Sequence, residues 1–316
     1  MASYLRSIYN SLPDVIATTR DADDYIPVSK EDAECFSMWG VSLADEGILI
    51  QQLRDELELS VNIPPQHNTL TLRRFLRARK HDVAAARAMF LSTLKWREEY
   101  GADRVLQDFV FNEKPEFAKF YPEGCYGVDR AGRPVYVQQP GNIDLEQLFK
   151  FTTEERCVRY HVQQQERYIN LIAPACSVAA GRCVDQSLVL IDLQGVGVST
   201  LTSDFRAIVQ KVLSIDQAHY PELMWKSIII NAPTSFRIMW GMVKYMLDTR
   251  TQVKVQVLSS NWREELQEYI APDQLPKEYG GTNPAPLPDP PGPWRDPAIV
   301  EKVAALTVDG SFCFRA

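Results

Sequence analysis

The sequence predicts an α/β chain in which a helical unit precedes a mostly parallel sheet. Three observations carry this. Up to Gly101 the apolar residues recur at helical spacing only. The run SLVLIDL over 187–193 is nearly continuously apolar, as a strand covered on both faces must be. From residue 134 to residue 270 such strands alternate with helix-spaced segments, which implies repeated β-α units with right-handed crossovers.

The 316 residues, 45% of them apolar, suffice for a sizeable core. The net charge of -7 argues against a nucleic-acid binder. Acidic residues concentrate over 14–58, whereas 73–80 is basic through Arg73, Arg74, Arg77, Arg79 and Lys80. The six cysteines are scattered, without a C-x-x-C pair or a histidine cluster. Free thiols in a reducing compartment and no metal site are therefore expected. No apolar leader and no run near 20 apolar residues is seen, so the expectation is a cytoplasmic chain that touches membranes from outside.

In chain order, Leu5, Ile8, Tyr9 and Leu12 have helical spacing before Pro13, and DADDYIPVSKED reads as an acidic surface loop. Leu49, Leu53 and Leu57 mark a helix that Pro64 and Pro65 close off. A short helix is expected over 71–79. Asp82 caps another, which Gly101 ends. A strand is expected over 134–138, after the turn DRAGR. Thr152 and Glu155 read as a capping box for a helix with Val158, Val162, Gln165, Ile169 and Ile172 on one face. After the strand at 187–193, Leu201, Phe205, Ile208, Val212 and Ile215 mark a helix that ends before Pro221. Then come a strand over 227–231, a helix over 236–247, a strand over 253–258 and a helix over 262–270. The tail NPAPLPDPPGPW reads as extended surface chain.

The stretch 219–255 is where chemistry concentrates. Glu222 follows a helix-ending proline, and Thr251 and Lys254 open the strand expected next. The intervening helix is apolar almost all round, with only Arg237 and Lys244 strongly polar, so it must be buried or touch lipid. A glutamate and a lysine among apolar strands need partners. These features predict a cavity for one amphiphile, with the pair holding its head and the helix acting as its door.

Enzyme readings lack residues to carry them. Gly195 and Gly197 follow a strand, but Thr200 occupies the third glycine position of a dinucleotide fingerprint, and no acid is placed for a ribose. There is no G-x-S-x-G elbow, Walker sequence or H-E-x-x-H. His161 reads as a hydrogen-bonded core residue, and Asp192 as a structural acceptor. No catalytic residue, metal ligand or cofactor is assigned.

The segments RFLRARKHD, KWREEYG, FYPEGCYGVDRAGRPVY, IDLQGV, HYPELMWKSIIINAP, LPKEYGG and PWRDP resemble the CRAL-TRIO lipid-binding family. They are most similar to its phosphatidylinositol/phosphatidylcholine transfer members. The resemblance implies an N-terminal helical tripod over 45–101 and a lipid-binding domain over 115–282; a 1–44 extension that the resemblance does not reach precedes them, and a Pro-rich extended tail over 283–316 follows. It implies a sheet flooring a hydrophobic pocket closed by a mobile gate helix carrying Phe236, Met239, Trp240, Val243 and Leu247. By resemblance, Arg79, Lys80, Glu222, Thr251 and Lys254 meet the inositol-phosphate headgroup. Tyr136, Ser187 and Tyr220 line the second-lipid pocket.

That pocket departs from the family pattern. Val189 stands in place of a threonine, Cys125 and Gln165 in place of tyrosines, and Leu223 in place of an arginine beside the acid. Aromatic faces hold quaternary ammonium groups, so weak phosphatidylcholine recognition is expected. The second ligand is left open between a sterol and another phospholipid. The implied function is phosphatidylinositol exchange between membranes and presentation to lipid kinases. The implied state is a monomer, peripheral on Golgi or endosomal membranes. A lipid or sterol sensor that regulates a protein partner is the alternative. A closed pocket is physically necessary for transfer: about 30 methylenes at ~0.8 kcal/mol each put the cost of exposing two acyl chains on the order of 20 kcal/mol.

Overall fold

The computed structural model describes residues 40–41, 43–64, 66–197, 200, 202–243, 249–287 and 292–306. The expected helix around Leu5 and the acidic loop that follows lie outside these residues. Helices α1 (Leu43–Glu58), α2 (Thr69–Ala78) and α3 (Val83–Tyr100) form the front unit. Their leucine stripes meet in a cluster of Leu53, Leu57, Leu72, Leu76, Met89 and Phe90. The Asp82 carboxylate accepts from the Ala85 amide, and Gly101, at φ 75°, ends α3 in the left-handed conformation that glycine adopts without strain. Asn68 caps α2, which begins at Thr69, two residues before the expected start.

Much of the basic stretch lies inside the protein. Arg73, Arg74 and Arg77 are buried. Arg77 donates twice to Glu46, at 2.6 and 2.7 Å, and so ties α1 to α2. Arg73 reaches Asp185 of the following domain at 2.5 Å.

After short helices α4 (Val105–Asp108) and α5 (Lys114–Phe120), the chain enters a five-stranded sheet in the order β1-β2-β3-β4-β5. The strands are β1 (Glu123–Val128), β2 (Pro134–Gln138), β3 (Ser187–Asp192), β4 (Met224–Ile230) and β5 (Val255–Val257). β1 pairs antiparallel to β2, and the other pairings are parallel. β1 escaped the sequence reading because Gly124 and Gly127 interrupt its apolar pattern. At Gly127, φ is +60° and a Cβ would lie 2.5 Å from the Gln274 carbonyl oxygen.

Strand periodicity divides the sheet into two faces. Val135, Val137, Leu188, Leu190, Ile228 and Ile230 pack into one core with Trp262 and Leu266 of α12 (Trp262–Tyr269). Tyr136, Gln138, Ser187, Val189, Ile191 and Ser227 point the other way, into a cavity. Both faces are covered, which is why 187–193 carries almost no polar residue.

The crossovers run through α6 (Leu145–Leu148), α7 (Glu154–Arg167), α8 (Ala173–Ala180) and α9 (Ser203–His219). The cap of α7 is Thr153, whose hydroxyl accepts from Arg156, and not the expected Thr152. Between α7 and α8 the turn widens into a π segment, Tyr168–Ile172, just before Pro174. Proline lacks an N–H and crowds the preceding turn, and the wider turn relieves both.

Two expectations are corrected near the C-terminus. Lys254 does not open a strand: it is the last residue of α11 (Thr249–Lys254), and β5 begins at Val255. The tail is not merely extended. Trp294 is buried in a cluster with Tyr168 and Ile172, and α13 (Pro297–Leu306) joins it through Val303. The expected 236–247 helix is α10 (Thr234–Val243). Leu247 lies outside the described residues, as do the side chains of Met239, Val243 and Thr251.

Candidate lipid cavity

A cavity of ≈ 680 Å³ lies between the sheet, α7 and α9. Its size suits a ligand pocket. Helix α9 contributes Phe205, Val209, Val212 and Leu213, one stripe of an amphipathic helix turned toward the cavity instead of a solid core. The tyrosines at 121, 136, 160, 168 and 220 line it as well.

The expected charged pair is present. Lys254 Nζ donates to Glu222 Oε2 over 2.7 Å, and both side chains line the cavity. The side chains retain 15% and 17% exposure, so the pair is largely withdrawn from water. Pro221 follows α9, and Glu222 takes φ +60°, an uncommon conformation for a non-glycine residue. The Gln186 side-chain amide holds the Glu222 carbonyl at 3.1 Å.

Arg79 and Lys80 are elsewhere. They sit exposed at the end of α2 and are not among the residues that line the cavity. Lys80 and His81 are both left-handed, at φ 54° and 64°. This turn is pinned by His81, which is 2.9 Å from Glu46. The structure therefore brings together Glu222 and Lys254, but not the basic pair.

All the expected second-lipid residues, Cys125, Tyr136, Gln165, Ser187, Val189 and Tyr220, line the cavity. Several of them already have partners, Gln165 on Asp216 and Tyr136 on Glu123 among them. The Tyr220 hydroxyl donates to Glu166 at 2.6 Å, and Glu166 is gripped by Arg97 at 2.8 Å. The Ser187 hydroxyl reaches the Leu223 carbonyl at 3.3 Å. Burial pushes the Cys125 thiol up to about 12, so it is neutral. The gate residues Phe236 and Trp240 do not line the cavity. Phe236 packs instead on Leu193, Ile229 and Ala232, and Ile238 is 60% exposed.

Sequence reasoning missed a polar wall. Glu123, His161, Arg167 and Asp216 also line this cavity. His161 Nε2 donates to Asp216 Oδ1 at 2.7 Å, and Gln165 donates to the same oxygen at 2.9 Å. Burial alone would lower the imidazole, but the Asp216 hydrogen bond and charge outweigh it and raise it. Burial raises the Glu123 carboxyl, against the charge of His161 and hydrogen bonds to Tyr136 and Gln138. The available signal was the row His161, Gln164 and Gln165 on a helix otherwise directed at the sheet.

A family model for the CRAL/TRIO domain matches residues 119–281. The chain belongs to the CRAL/TRIO family. It is 38% identical over 266 residues to the phosphatidylinositol/phosphatidylcholine transfer protein SFH12 of Arabidopsis thaliana, an alignment covering 82% of this chain and 49% of that protein. It is 40% identical over 260 residues to the SEC14 cytosolic factor of Candida glabrata, covering 80% of this chain and 85% of that one. The chain thus spans about half the length of the Arabidopsis relative. Among solved structures, Sfh5 matches with a TM-score of 0.53 at 18% identity, covering 90% of this chain and 89% of that one, and this likeness supports the fold alone. Among the described residues, no helix of this CRAL/TRIO chain is long and apolar enough to cross a membrane.

Proposed function

We propose that this CRAL/TRIO protein takes one phosphatidylinositol into the cavity and exchanges it between membranes, without catalysis. The observation that carries this is the Lys254–Glu222 pair in the lining of a mostly apolar cavity of ≈ 680 Å³. Lysine suits a phosphodiester, and glutamate accepts from inositol hydroxyls. The cavity holds the acyl chains away from water. The names of the relatives, phosphatidylinositol/phosphatidylcholine transfer proteins, support the same ligand class. In this reading Thr251 completes the headgroup site, Arg79 and Lys80 contribute when the lipid is bound, and α10 with the residues after it is the gate. The protein works as a cytoplasmic monomer in transient contact with Golgi or endosomal membranes and presents phosphatidylinositol to lipid kinases.

Transfer of labelled phosphatidylinositol between vesicles tests this. Movement of the label supports it, whereas binding without movement would favour a sensor or scaffold acting on a protein partner. In the same assay phosphatidylcholine transfer is expected to be slower than that of phosphatidylinositol, because Cys125, Gln165 and Val189 remove two aromatic faces and a hydroxyl.

A further inference from the structure

We propose that the inner wall of the cavity is a headgroup site for a zwitterionic phospholipid bearing a primary ammonium group, with the ammonium on Asp216 and Glu123 and the phosphate on Arg167. The proposal rests on the lipid-binding reading above and names the second ligand of that cavity.

Acyl chains need none of these charges. A charged or titratable side chain at an apolar wall costs free energy unless it is answered. Yet β1 supplies Glu123, α7 supplies His161 and Arg167, and α9 supplies Asp216. His161 and Gln165 occupy Oδ1 of Asp216. Among the described residues its other carboxylate oxygen accepts no hydrogen bond, and the side chain keeps 28% exposure. Glu123 accepts from Gln138 at 3.3 Å and from the Tyr136 hydroxyl. Tyr168, on the same wall, has a buried hydroxyl without a partner among the described residues.

The cationic side is equally distinct. Arg167 forms no ion pair among the described residues, and Lys114 and Arg295 line the cavity with it. Burial first, then the charges of Arg167 and Arg295, lower the Lys114 ammonium, so the three cations repel one another. Arg167 and Glu123 line the cavity together with Cys125 and Tyr160. An anionic group would relieve the repulsion, and a hydrogen-bond donor would fill the open carboxylate oxygen.

A primary ammonium has three N–H donors and matches carboxylate acceptors, whereas a quaternary ammonium has none and depends on aromatic faces. A sterol hydroxyl would answer one acceptor and leave Arg167 unmatched. A headgroup with an extra carboxylate would meet Asp216 and Glu123 as like charges. Phosphatidylethanolamine has the fitting combination.

The test is native mass spectrometry of the full chain after incubation with vesicles. These hold equal amounts of phosphatidylethanolamine, its N-methyl and N,N-dimethyl derivatives, phosphatidylcholine, phosphatidylinositol and a sterol. Loading is expected to fall stepwise with N-methylation, by about tenfold from the primary to the quaternary amine. Asp216→Asn and Glu123→Gln should flatten the series, and Arg167→Gln should lower all its members together. Because the series is read on the unaltered protein, a variant that fails to fold does not decide it. Phosphatidylcholine loading equal to or above that of phosphatidylethanolamine, or preferential loading of the sterol, would overturn the proposal. Absence of phosphatidylinositol from the loaded protein counts against the transfer reading alone, and loading of no lipid overturns both.

Discussion

Lys254 and Glu222 meet at 2.7 Å from opposite ends of a segment that includes β4 and α10. One partner ends a helix, and the other sits in a left-handed turn after Pro221. Removing either leaves the other charge largely withdrawn from water without its partner. Lys254→Ala and Glu222→Ala are each expected to reduce phosphatidylinositol transfer by at least about tenfold, the effect of one charge-assisted hydrogen bond. Circular dichroism should show both variants folded. Normal transfer by both would place the headgroup elsewhere.

Glu166 joins the helical unit to the cavity wall. It accepts from Arg97 at 2.8 Å and from the Tyr220 hydroxyl at 2.6 Å, all three groups being buried. Glu166→Ala leaves the buried Arg97 guanidinium with Asp103 as its remaining carboxylate partner and should lower the unfolding free energy by about 2–3 kcal/mol. Tyr220→Phe loses one hydrogen bond and should cost about 1 kcal/mol. Urea unfolding curves separate the two, and equal losses would contradict this ordering.

Acid should loosen the helical unit in two steps. Burial and Arg97 hold the His219 imidazole at about 4 against an ordinary 6.5. Its neutral form is the folded form, so its contribution is full above 6.5 and fades as pH falls toward 4. Burial alone would raise Glu46, but hydrogen bonds from His81 and Arg77 hold it at about 2 against 4.5. Its contribution is full above 4.5 and is lost as pH falls through about 2. Melting temperature against pH should therefore decline over both ranges. Glu46→Gln should flatten only the lower one.

Gly127→Ala tests the edge strand. The position has φ +60°, and a Cβ would stand 2.5 Å from the Gln274 carbonyl oxygen. Destabilisation of about 1–3 kcal/mol is expected in denaturant melts. A neutral effect would mean that β1 can shift away from residue 274 at no cost.

Much of the fold was legible because local chemistry set it. Asp82 and Gly101 bound α3 where the sequence places them, and β2 covers the expected 134–138. The double-sided apolar run became the central β3. β1 was not legible, since its two glycines erase the alternation and its existence depends on the ladder with β2. The α11–β5 boundary was missed because Val253, Val255 and Val257 suit a strand throughout. Burial of Trp294 depends on Tyr168 and Ile172, far away in the chain.

The same division runs through the site. Sequence alone determined the front helices, the alternating sheet, the Glu222–Lys254 chemistry and the family resemblance, because these reside in contiguous motifs and their spacing. Tertiary structure alone decided which side chains of each strand go to the core and which to the cavity floor. It also decided that Arg73 and Arg77 are buried in ion pairs while Arg79 and Lys80 stand apart from the cavity. Only packing of β1, α7 and α9 against one space gathers Glu123, His161, Arg167 and Asp216. Each of these is an ordinary surface residue type in sequence, and their chemistry arises from sharing one cavity wall.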